Sequence, residues 1–293
     1  GSPPVGEANL RIRGVTRAGL VLSSRPMDIG LNARLDGVNA AVRVVAASEG
    51  RTIGRAQARI SPIGGSGNLL ERLARAPMRA QVRYNGAADT LWRLTGIELI
   101  DLSGPAAIGA DISGSLENPV INGSVRTAGA RLESAVTGMV IDNLEAAGRF
   151  GGSRLQIARF RGATPGGGTV SGTGALDFAA ARGVGMRFDV RAENALLLDR
   201  DDIRAAVTGD LANRSDGEGG ANSGEVLMTE GRFRLGSATA AARVPRLPVR
   251  EINRIDADLA PTARRIDPWR LDLQVRAPDQ LRVTGLGMNS EWS

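Results

Sequence analysis

The chain has 293 residues, carries 37 Lys and Arg against 31 Asp and Glu, and contains neither Cys nor His. This composition excludes disulfide bonds, Cys or His metal sites and any catalytic triad that needs an imidazole. All the basic residues are arginines, spread at one or two per predicted strand, and aromatic residues make up 3% of the chain. Nucleic-acid binding is therefore not predicted, because it needs clustered cations or stacking aromatic rings.

The leading segment, residues 1–76, is predicted to be a β segment with a short helix near its end. Apolar residues alternate with polar residues or Gly over 29–35, which is the period of a strand with one dry face. At about 67–76 the apolar spacing becomes helical. Asn68 is suited to cap this helix and Pro77 to end it.

Residues 77–235 continue the strand period and are predicted to form a repetitive β-groove. In "MRAQVRYN", for example, Met78 and Val82 alternate with Arg79 and Arg83. Gly and Asn recur at intervals of roughly ten residues, which is typical of antiparallel hairpins.

One hairpin pattern occurs twice in this region. The stretch "ISGSLEN" from Ile112 matches "VTGDLAN" from Val207, and "GSVRTAGARL" from Gly123 matches "GEVLMTEGRF" from Gly224. The repeat indicates a stacked, quasi-one-dimensional β architecture. The second copy carries extra residues in "RSDGEGGANS", which are predicted to be a polar, disordered turn.

Two segments complete the chain. Residues 236–256 are predicted to be an irregular connector or a strap across the groove, because Pro245 and Pro248 break the strand rhythm. Residues 257–293 are predicted to be closing strands. We expect all four segments to form one continuous elongated unit.

The predicted fold class is all-β, with a long curled antiparallel sheet that forms an open groove and one short helix. A sheet with one apolar face must cover it with a second sheet, with helices or by curling, and the predicted helix is too short to serve. A closed β-sandwich is the alternative. Small inward residues such as Gly123 and Gly172, together with few aromatics, leave little volume to fill a closed core.

The residues predicted to face into the groove share one set of alternate strand positions. We expect them to contact acyl chains if the groove is open, or to form a dry core if it is closed. They are Met78, Val82, Ile112, Leu116, Ile121, Val125, Leu144, Phe150, Leu155, Ile157, Val170, Leu176, Met186, Phe188, Val190, Val207, Leu211, Val226, Leu271, Leu273 and Val275.

Two other patterns are not interpreted as sites. The stretch "TPGGGTVSGTG" is Gly-rich, but a phosphate-binding loop of the Walker type needs a Lys and the chain has none. Asp199, Asp201 and Asp202 have the ligands for a hard cation, yet Arg200 and Arg204 favour a solvated turn. No catalytic residue, metal site or cofactor is predicted.

Several segments occur in an order that is typical of a known family. They include "APMRAQVRYNGAADTLWRLTGIELIDLSG", "GMVIDNLEAAGRFGG", "RFRLGSATAAARVPRLPVREINR" and "LDLQVRAPDQLRVTGLGMNSEW". From about Pro77 to the end, the chain resembles the TamB family of translocation and assembly module subunits, within the AsmA-like group of envelope proteins. The match is to a fragment of the C-terminal half that lacks the last segment.

The resemblance implies a periplasmic protein of outer-membrane biogenesis, held at the inner membrane by an N-terminal helix that this chain lacks. The implied partners are phospholipid acyl chains and an Omp85-type outer-membrane barrel similar to TamA. Contact with the barrel is attributed to the missing last segment.

Three functional hypotheses remain open, and none involves an enzyme. The first is a lipid conduit that shields acyl chains in an apolar groove between the two membranes. The second is an assembly factor for outer-membrane barrels or autotransporters, which acts by pairing a free β-edge with its client. In the third, the chain only spaces the membrane anchor from the distal end.

Overall fold

The computed structural model describes residues 5–15, 26–92, 100–179, 183–235, 269–277, 281–285 and 288–292. These residues form seventeen strands and two helices, all in or beside a single sheet. The predicted 236–256 connector or strap and the start of the predicted closing segment lie outside the described residues.

The first nine strands alternate polar and apolar residues, as the sequence predicts. They are β1 (Val5–Val15), β2 (Met27–Asp36), β3 (Asn39–Ser48), β4 (Arg51–Ile60), β5 (Met78–Ala87), β6 (Ile100–Ser103), β7 (Pro105–Gly114), β8 (Pro119–Ser134) and β9 (Val140–Gly152).

The other eight strands include the longest hairpins of the second half. They are β10 (Arg154–Ala163), β11 (Thr169–Asp177), β12 (Gly185–Asp199), β13 (Ile203–Ser215), β14 (Gly220–Arg234), β15 (Trp269–Arg276), β16 (Leu281–Gly285) and β17 (Met288–Trp292).

The strands form one open sheet, which confirms the predicted all-β groove class. Nearly every strand pairs antiparallel with the next in the chain, except that β5 pairs with β7, while β6 lies beside the far part of β8. The sheet departs from antiparallel pairing at one edge. There β15 and β16 both run parallel to β14, and β17 then pairs antiparallel with β16.

The pairing register places the predicted inward positions of successive strands on one side of the sheet, here called the apolar face. One row across five strands contains Val125, Gly148, Ile157, Gly174 and Phe188, each directly opposite the next. Large side chains thus alternate with glycines from strand to strand. This arrangement leaves room for the large side chains to lie over the neighbouring backbone.

Glycines on the apolar face allow the strands to come close together. A Cβ placed on Gly172 would meet the carbonyl oxygen of Asp189 in the neighbouring strand and approach the Phe160 ring to 2.8 Å. A Cβ on Gly123 would likewise meet the carbonyl oxygen of Gly109. Since only glycine fits here, these positions favour curling of the sheet towards its apolar face.

The sheet curls far enough for strands that are not neighbours to touch. The N–H of Asp199, at the end of β12, donates to the carbonyl oxygen of Thr137 in the β8–β9 turn at 2.9 Å. The N–H of Leu196 donates to Thr164 Oγ1 in the β10–β11 turn at 3.1 Å. Three strands separate β8 from β12 in the sheet, so the contact of Asp199 with Thr137 closes one rim of the groove. The contact of Leu196 with Thr164 joins β12 to the turn before its neighbour β11.

Helix α1 (Leu69–Arg75) covers part of the other half of the apolar face. The Asn68 side chain accepts a hydrogen bond from the N–H of Glu71, which confirms the predicted cap. Ala76 after the helix packs with Ile63 and Met78 in a buried cluster. A second helix, α2 (Ala88–Trp92), was not predicted; the Trp92 Nε1 donates to the carbonyl oxygen of Ile100 at 2.6 Å.

The predicted disordered turn in the second hairpin copy is wrong. Strand β13 continues to Ser215 and β14 begins at Gly220, so Arg214 pairs with Ala221 across the extended hairpin. In the first copy the turn already begins after Gly114, at the end of β7. The extra residues therefore lengthen two strands, and only 216–219 form the turn.

Replacing Gly172 by Ala is expected to lower the free energy of unfolding by about 1–3 kcal/mol, the usual cost of overpacking. The new methyl group would meet the Asp189 carbonyl oxygen and the Phe160 ring. Gly30→Ala is the matched control, since a Cβ there has no atom within 4 Å and should be neutral or slightly stabilising. Urea unfolding followed by circular dichroism measures both; equal midpoints would contradict the close-approach argument.

Candidate functional site

The candidate site is the apolar face, and the structure sorts the predicted lining residues by their exposure. One group is buried and forms the floor of the groove. Its members are Met78, Leu144, Leu155, Val170, Leu176, Val207 and Val226. Floor residues are already covered by protein, so they stabilise the curl and offer no surface to a ligand.

A second group is half-buried and forms the wall of the groove, where apolar surface stays accessible. Its members are Val82, Ile112, Ile121, Val125, Phe150, Ile157, Met186, Phe188, Val190 and Leu211. These side chains face the same side as the floor residues. In β10 to β12, Ile157, Phe188 and Val190 lie between the buried Val170 at one end and the buried Leu155 and Leu176 at the other.

The remaining predicted residues are exposed. Leu116 lies outside the strands, in the turn between β7 and β8, and is 54% exposed. Leu271, Leu273 and Val275 do lie on the apolar face, opposite β14, but on the edge strand β15. Leu271 is 73% exposed, so within the described part of the chain the apolar face stays accessible up to β15.

The floor has its own core beside the closed rim. Val170 and Ala192 pack there with Ala130, Ile141 and Leu144 from the β8–β9 hairpin. Val170 is 1% exposed and Ala192 is fully buried. The groove is therefore filled at this rim and accessible further along the strands.

The wall includes an aromatic residue that the period-two pattern did not place. Phe160 lies on the apolar face opposite Gly172 and meets Phe188 edge to face, with ring centroids 6.2 Å apart. A bulge between Ile157 and Phe160 shifts the alternation by one residue. The signal in the sequence is the change of apolar spacing from two residues (Leu155 to Ile157) to three (Ile157 to Phe160).

The opposite side of the sheet is polar and carries cross-strand pairs. Arg83 lies 3.5 Å from Asp111, and Arg191 lies 3.6 Å from Asp210. These groups are largely exposed, so each ion pair adds little stability. Their effect is to keep this side in water, which leaves the apolar face as the only candidate surface for an apolar ligand among the described strands.

A cavity of about 680 Å³ opens on the polar side, over β3 to β5 and β7. Arg43, Arg59, Arg79 and Asp111 are among its lining residues. Charged groups that line a cavity would have to lose water to admit a hydrocarbon. This cavity is therefore unsuited to acyl chains.

The perturbed titrating groups have structural roles. The pKa of Asp177 is lowered, first by the N–H of Ala179 and then by Arg154, both of which stabilise the carboxylate. Burial raises the pKa of Tyr84, whose hydroxyl donates to the carbonyl oxygen of Ala87 at 2.7 Å. Both groups stabilise the ends of strands by hydrogen bonds.

The acidic residues after β12 are engaged by arginines. Arg204 lies 3.3 Å from Asp199, and Arg200 lies 3.1 Å from Asp202. Among the described residues, no group of three or more His, Cys, Asp or Glu is arranged to hold a metal ion.

The fold and face define a class: an open, curled β-sheet whose inner side is a continuous apolar groove. Residues 158–293 match the family model described as TamB, TamB C-terminal domain. The predicted resemblance is thereby confirmed over this part of the chain. Comparison with curated proteins and with solved structures gave no match.

The TamB family is one of non-enzymatic envelope proteins associated with outer-membrane biogenesis, and it works with TamA-like partners. The family implies localisation in the envelope. In the part of the chain that the structure describes, no helix is long and apolar enough to cross a membrane.

Because the chain has no cysteine, single cysteines can report the accessibility of floor and wall. Ile157→Cys in the wall is expected to react with a maleimide about tenfold or more faster than Val170→Cys in the floor, which must wait for local opening. Gln156→Cys, next to Ile157 on the polar side, should react fastest. If Ile157→Cys were as protected as Val170→Cys, the wall would be a closed core.

Proposed function

We propose that this chain is a segment of a periplasmic lipid conduit, which shields phospholipid acyl chains between the inner and outer membranes. The observation that carries the proposal is a continuous apolar face whose wall remains half-exposed. The reverse side of the same strands is polar and charged, so only the apolar side offers acyl chains a surface that they can cover without removing water from charged groups.

The energetics favour this use of the groove. A phospholipid with two sixteen-carbon chains exposes about 30 methylenes in water, which at roughly 0.8 kcal/mol each amounts to about 24 kcal/mol as an upper limit. A groove that covers even part of each chain removes much of this cost. The lipid then needs no chemical step to cross; it has only to stay shielded while it moves along the face.

In a dry sandwich core, the wall residues would be fully buried. Core side chains in a closed sandwich are buried from both sheets, as Val170 and Leu176 are here. Phe188, Val190 and Leu211 instead keep exposed surface beside that floor. The open arrangement offers both a rigid floor and a wall that an acyl chain can contact.

The family match supports the wider setting of the proposal. TamB-family proteins work with TamA-like partners in the envelope. In the proposed setting, the whole protein is anchored in the inner membrane and reaches an Omp85-type barrel in the outer membrane. This chain supplies part of the shielded path between them.

Ile157→Glu is expected to lower the phospholipid that co-purifies with the chain by about tenfold or more, because the carboxylate would lose its water against an acyl chain. Gln156→Glu is the matched control, since it places the same charge on the polar side of the same strand, opposite Arg149. Both variants are expressed in the periplasm of a Gram-negative host, and lipid per protein is measured by mass spectrometry.

Circular dichroism establishes that both variants are folded. Equal lipid in folded Ile157→Glu and Gln156→Glu would contradict the conduit. Lipid absent from the unchanged chain would contradict it as well.

A second candidate function is pairing of a free β-edge with outer-membrane barrel clients. The observation that favours it is β1, which pairs with β2 on one side and is exposed along its whole length. Val5 is 76% and Leu10 is 52% exposed. An exposed strand with free N–H and C=O groups is a template for another strand.

Proline substitutions at Ala8 and Asn9 separate this candidate from the conduit. Neighbouring N–H groups of a strand point to opposite edges, so one proline breaks the pairing with β2 and the other only blocks the free edge. Edge pairing predicts that the edge-blocking variant stays folded but no longer keeps an unfolded outer-membrane barrel protein in solution. Retention of the client by that variant would count against this candidate, and its lipid content should be unchanged.

A further inference from the structure

The end of the β13–β14 hairpin carries polar residues on the apolar face. The row that contains Phe188 continues across the sheet to Asn213, Asn222 and Leu271. Both asparagines are half-buried. The pair places amides where the same row has the apolar side chains of Phe188 and Leu271 in the neighbouring strands.

The two amides bond to each other and keep further capacity. Asn213 Nδ2 donates to Asn222 Oδ1 at 2.7 Å. A primary amide has two N–H donors and an oxygen that accepts two hydrogen bonds. The Asn222 amino group and the Asn213 oxygen are thus left for water or a ligand. A pair of leucines at these positions would continue the apolar face and would leave no hydrogen-bonding group unused.

The next row towards the hairpin tip is also suited to an interface between water and hydrocarbon. It runs from Met186 through Ser215 and Gly220 to Trp269. The Trp269 ring lies over Gly220, and this tryptophan is 37% exposed. Tryptophan, with an apolar ring and one N–H donor, is enriched where membranes meet water. Asn213, Asn222, Ser215 and Trp269 are here called the polar lip.

Away from the polar lip, the same strands become apolar and then buried. Leu211 lies one row deeper than Asn213 and is half-buried, and Val207 deeper still is 8% exposed. The strands therefore match a lipid in polarity, because the accessible apolar surface of Leu211 and Val190 lies one row deeper than the amides.

We propose that the polar lip binds the glycerol-ester region of a diacyl glycerophospholipid. The amide N–H groups donate to the ester carbonyl oxygens, while the acyl chains lie along Leu211, Val190 and Phe188 towards the closed rim. The inference rests on the proposed conduit and adds to it a defined stopping place with a preferred orientation of the lipid.

The test compares two fluorescent ligands, a diacyl phosphatidylethanolamine labelled on an acyl chain and an alkane of equal length with the same label but no ester or headgroup. Affinity of the 293-residue chain for each is measured by fluorescence titration. The Asn213→Leu/Asn222→Leu double variant is expected to lose about thirtyfold of its preference for the phospholipid, and each single variant about fivefold. Asn122→Leu, on the polar side of the first hairpin, is the matched control and should keep the preference.

The outcomes separate the two proposals. Binding of both ligands by the unchanged chain, with the same preference in the double and single variants, would overturn the polar lip and leave the conduit standing. Equal losses for alkane and phospholipid in the single variants would assign the amides to folding only, which also overturns the lip. If the unchanged chain bound neither ligand, the conduit would fail and the polar lip with it.

Discussion

The structure depends on one constraint: a long sheet with a single apolar face has to cover that face with its own strands. The glycine rows make this possible. At Gly123 and Gly172 a Cβ would meet a carbonyl oxygen of the adjacent strand, so the inner side can be shorter than the outer side. The curl then brings Thr137 to Asp199 across three intervening strands. Closure at one rim and exposure towards the other both follow from this bending.

The curl also divides residues of the same type into different roles. Val170 and Val190 lie on the same face of neighbouring strands, yet the first is 1% exposed and the second is half-buried. Position along the strand decides the difference, because Val170 packs into the core beside the closed rim and Val190 lies one row outside it. A rigid floor holds the wall in place without using the surface that a ligand would contact. The polar residues on the reverse side of the strands face water.

Much of the fold could be predicted from the sequence, because period two fixes which side each residue of a regular strand faces. The set Met186, Phe188 and Val190 was found in this way. Strict period two missed Phe160, since the bulge before it changes the apolar spacing from two residues to three. Composition misled at 214–223, where Gly, Ser and Asn are typical of turns but lengthen a hairpin here. The parallel pairing of β15 was equally invisible, because its partner lies far away in the chain.

A conduit must shield lipids without holding them tightly, and in the proposed mechanism the two parts of the groove divide these tasks. Contacts with Val190 or Phe188 are non-directional, so an acyl chain can exchange one row for the next at little cost. The proposed hydrogen bonds from Asn213 and Asn222 are directional and act at one place only. In the proposed mechanism, the wall permits sliding and the polar lip fixes which end of the lipid faces the water. Orientation is thus set on two strands, while the shielding surface extends across the whole sheet.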